Sequence, residues 1–319
     1  MTAPSTEAIG RITDAVGRVI VGAGEQVELC TIAWLCGGHV LIEDVPGVGK
    51  TMLAKALARA TGCQFERVQF TPDLLPSDIT GANIFNPQQG VFEFRRGPVF
   101  TQILLADEIN RATLKTQSAL LEAMEEHQDT VDGTTYPLPD PFVVLATQNP
   151  IEYAGTFPLP EAQVDRFLLR VHLGYADLAG EMEILDRFHR SSPLLDLEAM
   201  IDADGLAALR TAAWGVYVAP SLQEYLVRLV QRTRSHPDLA LGASARASLG
   251  LYRSAQVRAL SRGRDYVVPD DIKALAGPVL LHRLVLRASA ELRGTTARSI
   301  LTELLETEPV PVASRRVAG

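Results

Sequence analysis

The sequence predicts an α/β fold in which a parallel sheet carries helices on both faces, followed by a separate helical domain. Three observations carry that expectation. Val40-Leu41-Ile42 is an apolar strand that runs through a glycine-rich turn into a helix, with Met52, Leu53, Ala56, Leu57 and Ala60 at helical spacing before Gly62. Apolar strand-like runs then alternate with helical segments as far as Leu173, the pattern of a parallel sheet covered on both sides. From Tyr175 onward Ala, Leu and Arg dominate and β-branched runs vanish.

Taken in order, residues 1–18 read as an amphipathic helix leading to Val19-Ile20-Val21-Gly22, and Glu25 to Cys36 as a helix that offers Val27, Ile32, Trp34 and Leu35 to a core. The strand at 40–42 and its helix follow, then a second strand at Phe65–Phe70. The stretch Thr71–Gly97, with Pro72, Pro76 and Pro87, is expected to be loop-rich and without a helix. Within it Asn83-Ile84-Phe85 and Val91-Phe92-Glu93-Phe94 alternate around Gln88-Gln89-Gly90, which predicts a projecting hairpin. A third strand is expected at Thr101–Ala106 and a helix at Thr113–Glu126. A second hairpin turns at Asp132-Gly133, and further strands lie at Phe142–Thr147 and Phe167–Leu173. The domains expected are 1–175 and 176–308, the second all-helical with segments near 178–190, 204–214, 220–234, 244–259 and 269–287, and a loose tail at 309–319.

At 319 residues the chain has room for two domains, and its 47% hydrophobic and 21% charged content is that of a globular protein. A net charge of −8 argues against whole-protein attraction to nucleic acid or anionic membrane. Cys30, Cys36 and Cys63 form no CxxC pair and read as buried free thiols, which points to a reducing compartment. No apolar run approaches the ~20 residues of a membrane helix, and the first ten residues lack a basic start followed by an apolar core. A cytoplasmic location is the expectation.

Val45-Pro46-Gly47-Val48-Gly49-Lys50-Thr51 reads as a phosphate-binding loop. Backbone N–H groups from Gly47 to Lys50 would face phosphate oxygens, Lys50 would reach the β/γ-phosphates, and the Thr51 hydroxyl would ligate Mg²⁺. Asp44 stands where the usual motif has its first glycine. Ile103-Leu104-Leu105-Ala106 delivers Asp107 and Glu108 to a strand's C-terminal end, where ligands sit in parallel sheets. Asp107 is the expected metal ligand and Glu108 the group that orients the attacking water. Asn149 is a candidate to help position that water, or simply opens the turn before Pro150. Arg166, just before the fifth strand, is placed to reach a neighbouring subunit's nucleotide.

VPGVGKT at 45–51, ILLADEINRA at 103–112, LATQNP at 145–150, LPEAQVDRF at 159–167 and GASARA at 242–247 together resemble the MoxR family of AAA+ ATPases. The resemblance covers nearly the whole chain. It implies a P-loop NTPase core with strand order 5-1-4-3-2, a helical lid, and ATP or ADP with Mg²⁺ at the subunit interfaces of a hexameric ring. It also implies that Ile20, Val21, Val45, Val48 and Met52 surround the nucleotide with the loop residues. Asn149 becomes sensor 1, Arg166 the arginine finger and Arg246 sensor 2; read alone, Arg246 is equally an ordinary residue in a first helical turn behind Ser244. Residues 71–98 become the helix-2 insert and 127–139 the pre-sensor hairpin, the loops turned towards substrate. Ala176 and Ala245 stand where the family commonly has proline.

The implied function is Mg²⁺-dependent ATP hydrolysis that remodels or matures a protein client, with an adaptor bearing a von Willebrand factor A domain. A magnesium-chelatase-type motor and a nucleic-acid helicase are the alternatives. His127–Pro139 contains no Lys or Arg but has Asp129 and Asp132, which speaks against a phosphate-tracking loop, with Arg95 and Arg96 on the other side of the argument. Nucleic acid is therefore not expected as a partner. Phe85, Phe92 and Phe94 read two ways, as client contacts or as residues that pin the hairpin to its own domain.

Overall fold

The computed structural model describes residues 2–150, 155–189 and 192–311. Two compact units emerge, one of Glu7–Ala208 and one that joins the first residues through Thr6 to everything from Leu209. In chain order the elements are α1 (Thr2–Gly17), α2 (Gly24–Cys36), β1 (His39–Glu43), α3 (Lys50–Ala60), β2 (Phe65–Gln69), α4 (Pro76–Thr80), β3 (Gly81–Asn86), β4 (Val91–Arg96), β5 (Ile103–Asp107), α5 (Leu114–Glu126), β6 (Gln128–Val131), β7 (Thr134–Pro137), β8 (Val143–Gln148), α6 (Glu161–Val164), β9 (Phe167–Val171), α7 (Leu178–Phe188), α8 (Ala203–Trp214), α9 (Pro220–Ser235), β10 (Leu239–Leu241), α10 (Ala245–Ser261), α11 (Pro269–Leu280), β11 (Val285–Leu286), α12 (Ala288–Leu292) and α13 (Ala297–Thr307).

The first unit is built on a parallel five-stranded sheet in the order β2-β5-β8-β1-β9. Numbered as core strands in chain order, this is the expected 5-1-4-3-2. Residues Val40–Ile42 of β1, Ile103–Ala106 of β5 and Val143–Thr147 of β8 are fully buried, as central strands covered on both faces must be. On one face Leu41, Leu104, Ala106 and Val144 join Leu120, Leu121 and Met124 of α5 in a shared core. At the edge, β2 buries only Val68, which leaves Arg67 and Gln69 available for other work.

A short helix, α4, stands in the stretch expected to lack one. Pro76 occupies its first turn with φ already set, and the Asp78 carboxylate accepts the N–H of Leu75, so five residues suffice. Beyond α4 the β3–β4 hairpin is rooted where Gly81 and Gly97 bring backbone against backbone. A Cβ on Gly81 would lie 2.7 Å from the Gly97 nitrogen, and one on Gly97 would lie 2.6 Å from the Gly81 nitrogen. The β6–β7 hairpin turns at Asp132-Gly133, both at positive φ. The two hairpins pack on each other. Asn83 donates to the Asp132 carboxylate at 2.7 Å, and the Phe94 ring stacks on Tyr136.

The segment after β9 also belongs to the first unit. The Arg187 guanidinium donates to the Gly17 carbonyl, and the Met200 N–H donates to the Ala60 carbonyl at 2.8 Å. Compactness therefore divides the chain at Ala208–Leu209 and not at the change of composition after Tyr175.

The second unit is helical, with α9, α10, α11 and α13 packed together. It is not purely so, because β10 and β11 pair antiparallel. The helix expected to run to 287 stops at Leu280, where buried Arg283 turns back onto the Val279 carbonyl and Arg287 N–H donates to Asp238 O at 2.9 Å. Thr6 is held to this unit by its hydroxyl bond to the Leu260 carbonyl. Most of the tail expected from Pro309 lies outside the described residues. Among the described residues, no helix is long and apolar enough to cross a membrane.

Candidate functional site

The loop between β1 and α3 sits at the C-terminal edge of the sheet, with β5 and β8 ending beside it. Gly47 and Gly49 have φ of +87° and +94°, the left-handed region that a side chain disfavours. Lys50 opens α3 and folds over the loop, its Nζ donating to the Asp44 carbonyl at 2.8 Å. Burial lowers its pKa from the ordinary lysine value, while Asp107, Asp44 and Glu108 pull in the opposite direction. A half-buried cation facing carboxylates is suited to receive an anion.

Asp107 ends β5 and Glu108 follows it directly. The Thr147 hydroxyl, fully buried on β8, donates to Asp107 Oδ1 at 2.5 Å and accepts the Glu108 N–H at 2.9 Å. Glu108 itself lies at φ +57°, a conformation that costs a non-glycine residue about 1–2 kcal/mol and that this backbone bond helps to hold. Two neighbours engage its carboxylate: Gln69 Nε2 donates at 2.6 Å and Arg111 Nε lies 3.1 Å away. Arg67 meets the other oxygen of Asp107 at 2.7 Å, a pair exposed enough to contribute under about 1 kcal/mol to stability.

These groups line a cavity of about 400 Å³ walled by Pro46, Gly47, Gly49, Lys50, Thr51, Met52, Arg67, Gln69, Asp107, Glu108 and Asn149. The donor set suits Mg²⁺, because the Thr51 hydroxyl and Asp107 carboxylate are hard oxygen donors and this ion commonly takes one or two protein ligands beside phosphates and water. Among the described residues, no group of three or more His, Cys, Asp or Glu could hold a metal by itself.

A second cavity, of about 250 Å³ and largely apolar, opens on the other side of the loop. Ile20, Val21, Val48 and Met52 line it together with Leu173, Tyr175, Ile184 and Phe188. Gly47, Gly49 and Met52 border both cavities, so the loop is the wall they share.

Most of the sequence-derived site thus converges. Val45 lines neither cavity. Arg166 precedes the N-terminal end of β9, away from the sheet edge that bears the loop, and pairs with Glu125 at 2.8 Å. Arg246 lies in the second unit, in the first turn of α10, where its N–H bonds the Ser244 side chain. Sequence reasoning missed Arg67, Gln69, Thr147 and the wall from Leu173 to Phe188. The alternation Glu66-Arg67-Val68-Gln69 was a usable signal, since two polar residues on one face of a sheet strand need a reason.

Comparison with known proteins gives the family. Residues 39–169 match the ATPase family associated with various cellular activities (AAA), and residues 231–304 match the AAA lid domain. The chain is 43% identical to the chaperone MoxR1 of Mycobacterium tuberculosis over 93% of its length and 80% of that protein's. It is 49% identical to YeaC of Bacillus subtilis over 95% of both chains, and 30% identical to the protein MoxR of Methylorubrum extorquens over 96% of both. A crystal structure of a Cytophaga hutchinsonii protein described as a candidate ATPase superposes with a TM-score of 0.91 at 41% identity, covering 98% of this chain and 97% of that one. With the parallel sheet, the phosphate loop and the Asp107-Glu108 pair at one edge, these relationships place the chain in the MoxR family of AAA+ ATPases.

Proposed function

We propose that this protein hydrolyses ATP with Mg²⁺ and uses the cycle to remodel a protein client. One observation carries the reading: an apolar cavity of base size and a polar cavity with a lysine and two carboxylates meet across one glycine-rich loop. A nucleotide has that division along its length. The apolar cavity takes the base, N–H groups of the loop and Lys50 take the phosphates, and Thr51 with Asp107 holds the metal. When bound, the metal neutralises charge on the phosphates. Glu108, once released from Gln69 and Arg111, orients the attacking water, and Asn149 in the same cavity assists it. Arg166 acts on the nucleotide of a neighbouring copy, which calls for a ring, hexameric by family resemblance. Arg246 is assigned to sense nucleotide on the same resemblance.

The remodelling role rests on the relatives, among them a protein named as a chaperone. A cytoplasmic location and an adaptor with a von Willebrand factor A domain rest on family resemblance. The β6–β7 hairpin favours a protein client over nucleic acid, since it carries Asp129 and the exposed Asp132 and has no Lys or Arg.

The test separates two variants by mechanism. Lys50→Ala is expected to weaken ATP binding, whereas Glu108→Gln retains binding and loses turnover. Wild-type hydrolysis by Glu108→Gln would overturn the assignment.

A further inference from the structure

Asp44 occupies the place of a glycine in the usual phosphate loop, and its carboxylate is used in full. It is 9% exposed. Oδ1 accepts the N–H of Val45 at 3.0 Å, and Oδ2 accepts those of Leu173 at 2.6 Å and Gly174 at 2.8 Å. Its backbone N–H donates to the Gln148 carbonyl at 3.2 Å, while its own carbonyl accepts Lys50 Nζ at 2.8 Å. One residue thus joins the loop, the end of β8, the segment after β9 and the loop lysine.

The partner segment is the important one. Among the described residues β9 is an edge strand that pairs with β1 alone, and that ladder ends at Val171. Beyond it, the chain is fastened to the end of β1 by His172 Nδ1, 2.6 Å from the Glu43 carbonyl, and by the two bonds to Asp44. Leu173, Gly174, Tyr175 and Ala176 then form a wall of the apolar cavity. A carboxylate that accepts backbone N–H groups makes charge-assisted bonds, roughly twice as strong as neutral ones. A glycine at position 44 would leave this wall without that tether.

We infer that Asp44 is a positioning residue that fixes the base-side wall to the phosphate loop, and thereby lets the site distinguish a nucleotide from a bare polyphosphate. This rests on the nucleotide reading above. Without the tether the phosphate loop keeps its glycines and its lysine, so a ligand made only of phosphates is held as before. A ligand that must also fill the apolar cavity meets a wall that has to be ordered at the cost of binding energy.

The experiment is calorimetric titration of the full chain with ATP and, separately, with inorganic tripolyphosphate. Asp44→Gly and Asp44→Asn are compared with the wild type and with Lys50→Ala. In Asp44→Gly ATP affinity is expected to fall about tenfold, the scale of one charged hydrogen bond, and in Asp44→Asn, whose amide oxygen still accepts but carries no charge, by a smaller factor of about threefold. Tripolyphosphate affinity is expected to stay within about twofold, a small part of that same tenfold scale. Lys50→Ala should weaken both ligands. Equal losses for the two ligands in the Asp44 variants would show that Asp44 shapes only the phosphate loop, and unchanged ATP affinity would show that the tether has no part in binding; either overturns the proposal. Asp44→Asn is nearly isosteric and carries the comparison should the glycine variant melt early. Absence of ATP binding by the wild type, or indifference to Lys50→Ala, would instead defeat the nucleotide reading itself.

Discussion

Phe94 and Tyr136 stack with ring centroids 4.1 Å apart and planes 15° from parallel, and the stack fuses two hairpins that the chain builds separately. Phe100 closes the cluster edge-on to both rings. Phe92 and Phe85, opposite each other in the β3–β4 ladder, continue the same face outward and are 70% and 50% exposed. The three phenylalanines therefore divide: Phe94 packs, and the other two present a pair of rings to solvent.

Serine at the two kinds of position should separate these roles. Phe94→Ser removes a stack worth about 1 kcal/mol beyond its buried area and is expected to lower the melting temperature. Phe92→Ser should change stability by less than about 0.5 kcal/mol and leave basal ATP hydrolysis intact while client-stimulated turnover falls. Equal melting shifts would contradict the division.

Thr147 ties Asp107 and Glu108 together through one hydroxyl. Thr147→Val keeps the shape and strands the part-buried Glu108 N–H against a fully buried side chain, at a cost of about 1 kcal/mol. Turnover is expected to fall about tenfold to a hundredfold, since small displacements of a reacting group have that effect, with KM for ATP nearly unchanged. Thr147→Ser should restore both, and a serine variant as poor as the valine one would remove the hydroxyl from the account.

Arg166 stands at the start of β9, while the phosphate loop lies at the C-terminal edge, and five strand residues span about 16 Å. Reach to its own chain's site is not expected. Arg166→Ala should bind ATP normally and fail to hydrolyse it. Mixed with the equally inactive Glu108→Gln, it should recover activity at interfaces that pair the two intact residues. Subunit exchange without recovery would exclude action between copies.

His39 is fully buried at the start of β1, where Nδ1 accepts the Val144 N–H at 3.0 Å and Nε2 meets the Met124 carbonyl at 3.1 Å. Burial holds its pKa down at about 4 from 6.5, with nearby His127 acting in the same direction and the Met124 bond against it. The unfolded chain therefore binds the extra proton first. Stability should be complete above about pH 6.5 and decline as pH falls towards 4, by about 3 kcal/mol in all. Urea denaturation across that window should show the decline, and His39→Gln should lack this component of it.

How much of this was legible beforehand depended on whether a role belongs to contiguous residues. The phosphate loop and Asp107-Glu108 were readable because each motif is local and sits at a strand end, whereas the sheet order came only through the family resemblance that those motifs carry. The wall from Leu173 to Phe188 was not, because α7 carries ordinary apolar residues and only its packing beside the segment from Gly17 to Val21 makes Ile184 and Phe188 part of a cavity. The helix α4 escaped notice for a related reason: five residues show no periodicity, and only Pro76 with Asp78 marks the start. The strand β11 was hidden inside an apolar run that suits a helix equally well until its partner β10 is known.

The glycine pair at the root of the first hairpin sets a rule for how this arm can change. Gly81 at φ +99° and Gly97 face each other with no space for a methyl group on either, so the shoulder of the arm is backbone alone. At the far end, Gln88-Gln89-Gly90 turns in solvent with nothing within 4 Å of where a Gly90 side chain would begin. Variation in length and chemistry is thereby directed to the tip. A longer or recoded tip alters what the arm reaches while its backbone root at Gly81 and Gly97 stays the same, so its outer surface can be rewritten by changes confined to a few exposed residues.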